Sequence, residues 1–473
     1  MLRNLASMSG LSLFKAAIQF GIGTLLALFV LPAEYGLITF SLPIIQFITL
    51  LTDMGLASAI VRQPDLTPRQ SGGALSFSLA VGFVAALLLG MTAYPIERWT
   101  GLAGLGPVLI ALAIAVFFTI VAGVPRAIME RALRYQRIAA IEGAGTLVAA
   151  SVCAVSVLLG AGIWAVVLFH IVLQGLRAIC FLLDSRHAID FNVKWRSIAQ
   201  LLGFGGWVLA TNLVNFGSRN AQNLLIGAAL GAVAVGLYGL AYQFMILPLM
   251  AIAWPGSGVL LATLSNGEGD DEQFRRPILG ITLITALVAF PLMIWMTFGL
   301  TFPIRTLLAP NWAAMIPLIQ TLAPLGAIQA LASYNGAVLL ARGHPRLQFR
   351  INLVSSLLLV AGFILSLPYG IQRFAQVYLV VGVVVALGQI AAKLWAANIS
   401  VGTYIRTLLP AVTATALASA VAVMIGRNPA NWVQWIEVSA GYGFTVATIY
   451  LVSARSILRE VRALTHSRSP ALA

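Results

Sequence analysis

The sequence predicts an all-α polytopic membrane protein, and three observations carry that reading. Of its 473 residues 60% are hydrophobic and only 9% charged, with mean hydropathy +0.96, whereas an ordinary globular domain is roughly 25% charged. The apolar residues gather into about fourteen stretches, each close to the ~20 residues a helix needs to cross a bilayer core. The basic residues concentrate in alternate connections between those stretches, the asymmetry that orients membrane helices. A soluble enzyme and a single-anchor protein are both excluded. With 28 basic and 14 acidic side chains a soluble surface of this size goes uncovered, but lipid solvates the outside of a multispanning bundle.

The stretches read in order as follows. The first, 11–31, comes after Arg3 and Lys15 and runs into Pro32 with no small-residue cleavage site, so it is expected to be a retained helix and not a signal peptide. The second, 36–61, contains Pro43 and the sequence Asp53-Met54-Gly55-Leu56. Stretches 73–95, 106–126, 140–160 and 163–183 follow, and Arg131, Arg134 and Arg137 lie between the second and third of these. The seventh, 203–229, is interrupted by polar residues. The eighth, 236–262, contains Pro248 and Pro255 and then Gly256-Ser257-Gly258. Proline removes a backbone donor and the glycines loosen the next turn, so this stretch is expected to break and to serve as a hinge. The remaining six are 278–300, 314–341, 351–367, 374–396, 408–426 and 435–454.

With the N-terminus inside, 23 of the 28 Lys and Arg residues fall in cytoplasmic segments. Only Arg98, Arg305, Arg373 and Arg427 fall outside, and Arg219 lies within a span. An even number of crossings with both termini inside (N-in, C-in) is therefore expected, and the net charge of +14 needs no nucleic acid to explain it. The outside connections are short, the longest being 299–313, so no soluble domain is inserted. The acidic cluster Glu268, Asp270, Asp271 and Glu272 reads as a solvated inside loop. Cys153 and Cys180 fall in apolar stretches and imply no disulfide framework.

A weak internal repeat is visible. Leu25-Leu26 and Tyr35-Gly36-Leu37 are matched by Leu224-Leu225 and Tyr238-Gly239-Leu240, and the basic triplet 131, 134, 137 is matched by Arg342, Arg346 and Arg350. The expectation is two pseudo-symmetric six-helix bundles, 1–197 and 198–400, and an extra C-terminal helix pair with a basic cytoplasmic tail, 401–473.

Ionisable residues inside a bilayer are functional candidates, because a mid-helix Arg costs at least about 2.5–3.5 kcal/mol on insertion scales. Asn212, Asn215, Arg219 and Asn223 stand at i, i+3, i+7 and i+11 and share one helical face. Such a stripe fits a wet cavity in which a guanidinium binds phosphate in a bidentate way, or a hydrogen-bonded seam in which Arg219 only ties helices together. Gln46, Thr49 and Asp53 form a second stripe. Asp53 is a candidate carrier for H+ or Na+ coupling; capping a loosened turn or pairing with a basic residue is the alternative. Lys15 and Gln19 lie four apart toward the inner end of the first span, facing a cavity or, for Lys15, snorkelling to the interface. His170, Gln174 and Arg177 share a face of the sixth span, and Gln389 with Lys393 repeats that pattern weakly in the twelfth. There is no Walker A sequence and no Cys/His metal spacing, and Glu97, Arg98 and Glu437 read as ordinary interface residues.

Several segments resemble one family. PAEYGLITFSLPIIQFITLLTDMGLASAIVRQPDLTPRQ (32–70), SRNAQNLLIGAALGAVAVGLYGLAYQF (218–244), APNWAAMIPLIQTLAPLGAIQAL (309–331) and LLARGHPRLQF (339–349) are similar to segments of the bacterial polysaccharide transporter family, the Wzx and WzxC-type flippases of lipid-linked oligosaccharides. The resemblance implies the fold of the MOP superfamily, shared with the lipid II flippase MurJ and the MATE exporters: two six-helix bundles around a central cavity. It also implies that the last two helices resemble the pair lining a lipid-tail groove in MurJ-like proteins. Two positions depart from the family pattern. Gln222 stands where Asp is frequent, which argues against a carboxylate for ion coupling there, and Ala262 stands where Pro is frequent.

The function this implies is translocation of undecaprenyl-diphosphate-linked oligosaccharide from the cytoplasmic to the periplasmic leaflet, for export of O-antigen, capsule or exopolysaccharide, by alternating access. Arg219, Asn212, Asn215, Asn223, Lys15 and Gln19 are the expected substrate-binding residues. No cofactor is expected beyond a coupling H+ or Na+. The expected partners are the lipid-linked oligosaccharide, membrane lipids and the polymerase and export machinery, in the bacterial inner membrane. The alternatives are a MATE-like exporter of small molecules, and a membrane glycan polymerase or ligase, whose chemistry is expected to need a sizeable outside loop that this sequence does not offer.

Overall fold

The computed structural model describes the backbone of residues 2–53, 56–63, 66–188, 190, 195–265, 271–426 and 429–453. Within these helices the side chains of 2–13, 15, 16, 62, 195–212, 214, 215, 218, 219, 271 and 273 lie outside the described set. Among the described residues the structure is 91% helix with no strand. The apolar stretches expected from the sequence lie mainly on helical backbone where they are described; the stretch 314–341 is interrupted by a turn at 333–334. Among the described residues, eleven helical stretches are long and apolar enough to cross a membrane. Two of them, Asn220–Ser265 with 46 residues and Pro345–Ala396 with 52, run to roughly twice the length of one crossing. Many of the hydroxyls inside these helices are satisfied locally. Thr39, Ser41, Thr49, Thr146 and Thr415, for example, each donate to the carbonyl four residues back, so they sit in lipid without an orphan donor.

The chain divides into two compact units, Met1–Gly239 and Leu240–Ala473. The first contains α1 (Leu2–Phe29), α2 (Pro32–Asp53), α3 (Leu56–Arg62), α4 (Pro68–Thr100), α5 (Leu105–Arg131), α6 (Tyr135–Leu158), α7 (Trp164–Ser185) and most of α8 (Trp195–Pro248). α5 is its hub: α2, α3, α4 and α7 pack on it, α6 packs on α7, and α1 packs on α6. Leu56, Ile60, Leu75 and Val121 form one buried cluster, and Met129, Ile138 and Phe181 form another. α4 begins with a capping box: Thr67 Oγ1 accepts from Gln70 N and Gln70 Oε1 accepts from Thr67 N, with Pro68 in the first turn. At its far end Glu97 turns back to accept the N–H groups of Gly104 (3.0 Å) and Gly106 (2.6 Å), placing an anion on the α5 N-terminus.

α8 is not one continuous helix. Gly231, at φ +87°, breaks it, a conformation that costs glycine little. Beyond the break, α8 meets α2 backbone to backbone. Gly36 lies against Ala232 and Gly236, and Gly236 lies reciprocally against Pro32 and Gly36. A methyl group at either glycine would overlap the facing carbonyl oxygen, so only glycine permits the approach. The contact thus matches Gly36 with Gly236, whereas Gly239 packs against the Thr39 side chain.

The second unit continues from α8 through a π-helical turn (Leu249–Ala253) into α9 (Trp254–Ser265), then α10 (Asp271–Gly299), α11 (Thr301–Leu307), α12 (Ile316–Ala332), α13 (Asn335–Ala341), α14 (Pro345–Ser366), α15 (Gly370–Ala396), α16 (Val401–Gly426) and α17 (Trp432–Val452). The π turn directly follows Pro248, where the sequence places a break; the lost donor lets the ladder slip to wider bonds. α12 packs between α10 and α15, and α14 lies on α15. The last two helices pair with each other and dock on α10. Pro291 in α10 has no N–H to give the Leu287 carbonyl, and Tyr450 Oη of α17 donates to it instead at 2.6 Å. Tyr442 Oη donates to Pro291 O (2.9 Å) and Trp435 Nε1 to Gly299 O (2.7 Å), above a buried contact of Phe298, Ala418, Ala422 and Val438.

Candidate functional site

The polar stripe of α8 is laid out by helical backbone: residues 212, 215, 219 and 223 all precede the break at Gly231 and so keep to one face. The side chains of Asn212, Asn215 and Arg219, and that of Lys15 in α1, lie outside the described residues. Asn223 is half-buried, and its Oδ1 is a buried acceptor with no hydrogen-bond partner among the described residues. An orphan amide oxygen in a membrane helix is an expensive arrangement, and a ligand hydroxyl would satisfy it. Beside it, Gln222 is buried, and its Oε1 accepts from Tyr238 Oη at 2.9 Å, across the Gly231 break. The family-variant position thus holds a neutral strut between the two arms of α8.

Asp53 closes α2 and is half-buried. Its Oδ1 accepts from Ala57 N at 3.4 Å in the first turn of α3, the geometry of a cap. Gln19 of α1 and Gln46 of α2 are exposed, and Thr49 folds onto Ile45 O. The structure joins Gln222 to Tyr238, with Asn223 next to Gln222 in the chain.

Two buried ionic centres emerge from the packing. In the first unit Glu142 of α6 is 3% exposed and faces two guanidinium groups. Arg126 Nε of α5 is 3.3 Å from its Oε1, and Arg177 Nη2 of α7 is 4.0 Å from its Oε2. Arg126 also pairs with Glu130 at 3.2 Å, and Arg177 Nη1 donates to Gln174 Oε1 at 3.2 Å. At the same end, Arg134 and Arg137 share Asp184 at 2.9 and 3.1 Å, and Arg131 Nε donates to Gln63 O. In the second unit Lys393 is fully buried. Its Nζ donates to Leu331 O (3.0 Å) at the C-terminal end of α12 and to Tyr404 Oη (3.1 Å) of α16. An ammonium there complements the partial negative charge of the helix end. Lys393 is therefore a strut between α12, α15 and α16 and not a rim charge. The signal for Glu142 is present in the sequence as an acid inside an apolar stretch; its partners, on two other helices, are not.

The fold is that of a multi-pass membrane transporter. The structure of the lipid II flippase MurJ matches 95% of this chain and 99% of its own with a TM-score of 0.75 at 12% identity. A multidrug resistance MATE family transporter of the MOP superfamily matches 81% of the chain and 95% of its own, with a TM-score of 0.62 at 14% identity. The sequence model described as "Polysaccharide biosynthesis protein" matches residues 25–317, and the chain belongs to that family. It is 25% identical to the teichuronic acid biosynthesis protein TuaB of Bacillus subtilis over 88% of the chain and 89% of the relative. It is 23% identical to the lipopolysaccharide biosynthesis protein WzxC of Escherichia coli over 72% and 70%. Family and fold together define a multi-pass polysaccharide biosynthesis protein with the fold seen in the MurJ and MATE structures.

Proposed function

We propose that this protein flips undecaprenyl-diphosphate-linked oligosaccharide from the cytoplasmic to the periplasmic leaflet of the bacterial inner membrane, by alternating access. The observation that carries this reading is the coincidence of family and fold: a polysaccharide biosynthesis chain that matches a lipid II flippase along nearly its whole length. A diphosphate head does not cross about 30 Å of hydrocarbon unaided. In this reading fourteen helices cross the membrane with both termini inside. Arg219 holds the diphosphate, with Asn212, Asn215 and Asn223 on its face of α8 and Lys15 and Gln19 completing the site. The orphan Oδ1 of Asn223 supports a hydroxyl-rich ligand. Asp53 is the coupling candidate for H+ or Na+, although its bond to Ala57 N favours a cap. The polymerase and export machinery receive the product.

The test is the leaflet in which lipid-linked oligosaccharide accumulates in a strain lacking the protein, read with a glycosidase that does not cross the membrane. Build-up on the protected, cytoplasmic side is expected. Build-up on the accessible side would move the polymerase or ligase reading to first place. Arg219→Ala is expected to abolish export while the protein still reaches the membrane, and normal export in that variant removes the anion-binding role.

A further inference from the structure

Glu142 and its two arginines form a centre with more donors than acceptors. Each guanidinium offers five N–H groups. Against them stand the two oxygens of Glu142, Oε1 of Glu130 and Oε1 of Gln174. The consequence is visible: Nε of Arg126 and Nε of Arg177 are both buried, and neither has a hydrogen-bond partner among the described residues. The 3.3 Å approach of Arg126 Nε to Glu142 is an ion pair without hydrogen-bond alignment. Buried donors left without an acceptor are costly, more so on a charged group. Two of them flanking one carboxylate point to an acceptor with several negatively charged oxygens.

The centre is also graded from surface to interior. The Arg126 side chain is 43% exposed, Arg177 18% and Glu142 5%. Arg126 lies five residues, about 7.5 Å of helix, before Arg131 and the basic turn that leads into α6. An anion drawn to that turn meets Arg126 first and Arg177 next.

We propose that Arg126 and Arg177 form a second diphosphate-binding site in the first unit, with Glu142 as the internal counter-ion that an arriving phosphoryl group displaces. Two guanidinium forks suit a diphosphate because each pairs bidentately with one phosphoryl group. The site deepens the flippase reading and rests on it: it would be a station for the lipid head group distinct from Arg219.

The test is a binding titration of the full-length protein in phosphatidylcholine nanodiscs, with inorganic diphosphate and separately with farnesyl diphosphate as probes. Arg177→Gln is expected to weaken binding about tenfold, the loss of one charge-assisted pair. Glu142→Gln is expected to tighten it, because the competing carboxylate is gone; a folding defect does not produce tighter binding. Equal responses to the two probes mean that the site reads the diphosphate alone, and a preference for the prenyl probe assigns it to the lipid head group. If Arg177→Gln and Glu142→Gln both bind diphosphate as the unchanged protein does, water satisfies the orphan donors and the proposal falls. If only Arg219→Ala abolishes binding, this site falls and the flippase reading stands. If Arg177 and Glu142 shift the affinity while Arg219→Ala does not, this site stands and Arg219 loses its role.

Discussion

The docking of the last helix pair on α10 makes a sharp prediction for Tyr450→Phe. Interhelical hydrogen bonds in membrane proteins average only about 0.6 kcal/mol and reach about 1.7, because the groups set free find other partners. The acceptor here lacks the donor that its helix would ordinarily supply. Leu287 O would ordinarily receive the N–H of residue 291, and that residue is proline. Removing the phenol leaves a genuine orphan carbonyl, whose cost is about 1–3 kcal/mol, so the expected loss lies near the top of the membrane range, about 1.5 kcal/mol. The same argument predicts coupling with Pro291→Ala, which restores an N–H to Leu287 O. In that background Tyr450→Phe should cost less than about 0.5 kcal/mol, a coupling energy of about 1 kcal/mol by double-mutant cycle. The assay is unfolding of the purified protein in mixed micelles with increasing sodium dodecyl sulfate. The other anchors, Trp435 to Gly299 O and Tyr442 to Pro291 O, keep the pair docked while the cycle is measured. If the two substitutions add within about 0.3 kcal/mol, the proline does not create the site for Tyr450 and the reasoning is wrong.

Three other outcomes are expected. Gly36→Ala and Gly236→Ala should each cost about 1–3 kcal/mol from overpacking, since each methyl meets a backbone carbonyl; an unchanged denaturation midpoint for either would refute the close contact of α2 with α8. Tyr404→Phe removes one of the two acceptors of the buried Lys393 ammonium and should destabilise by about 1–3 kcal/mol, measured in the same micelles; no loss would mean that Leu331 O alone suffices. Glu97→Ala leaves the N–H groups of Gly104 and Gly106 without a carboxylate and should cost about 1–2 kcal/mol. Hydrogen exchange at those amides should rise, and unchanged protection would refute the capping role.

Much of the secondary structure is legible in the sequence because one rule governs it locally. A backbone in lipid satisfies its own hydrogen bonds, so each run of about 20 apolar residues is bound to be helix. The break after Pro248 is legible for the same reason, since a missing N–H is a property of the residue itself. The shared face of Asn212, Asn215, Arg219 and Asn223 follows from helical periodicity and holds wherever the backbone is helical.

Partner choice is where local rules stop. Nothing in the spacing of Arg126, Glu142 and Arg177 says that three helices bring them to one point, nor that Lys393 turns inward to the end of α12. The sequence pairs Tyr35-Gly36 with Tyr238-Gly239, whereas the contact the structure makes is Gly36 with Gly236. The sequence by itself determined that this chain is a multi-pass bundle of apolar helices and which polar residues share a face, because composition and period act within one segment. Which donor meets which acceptor was decided only by the tertiary structure, because a buried polar group takes whatever partner packing brings within about 3 Å of it.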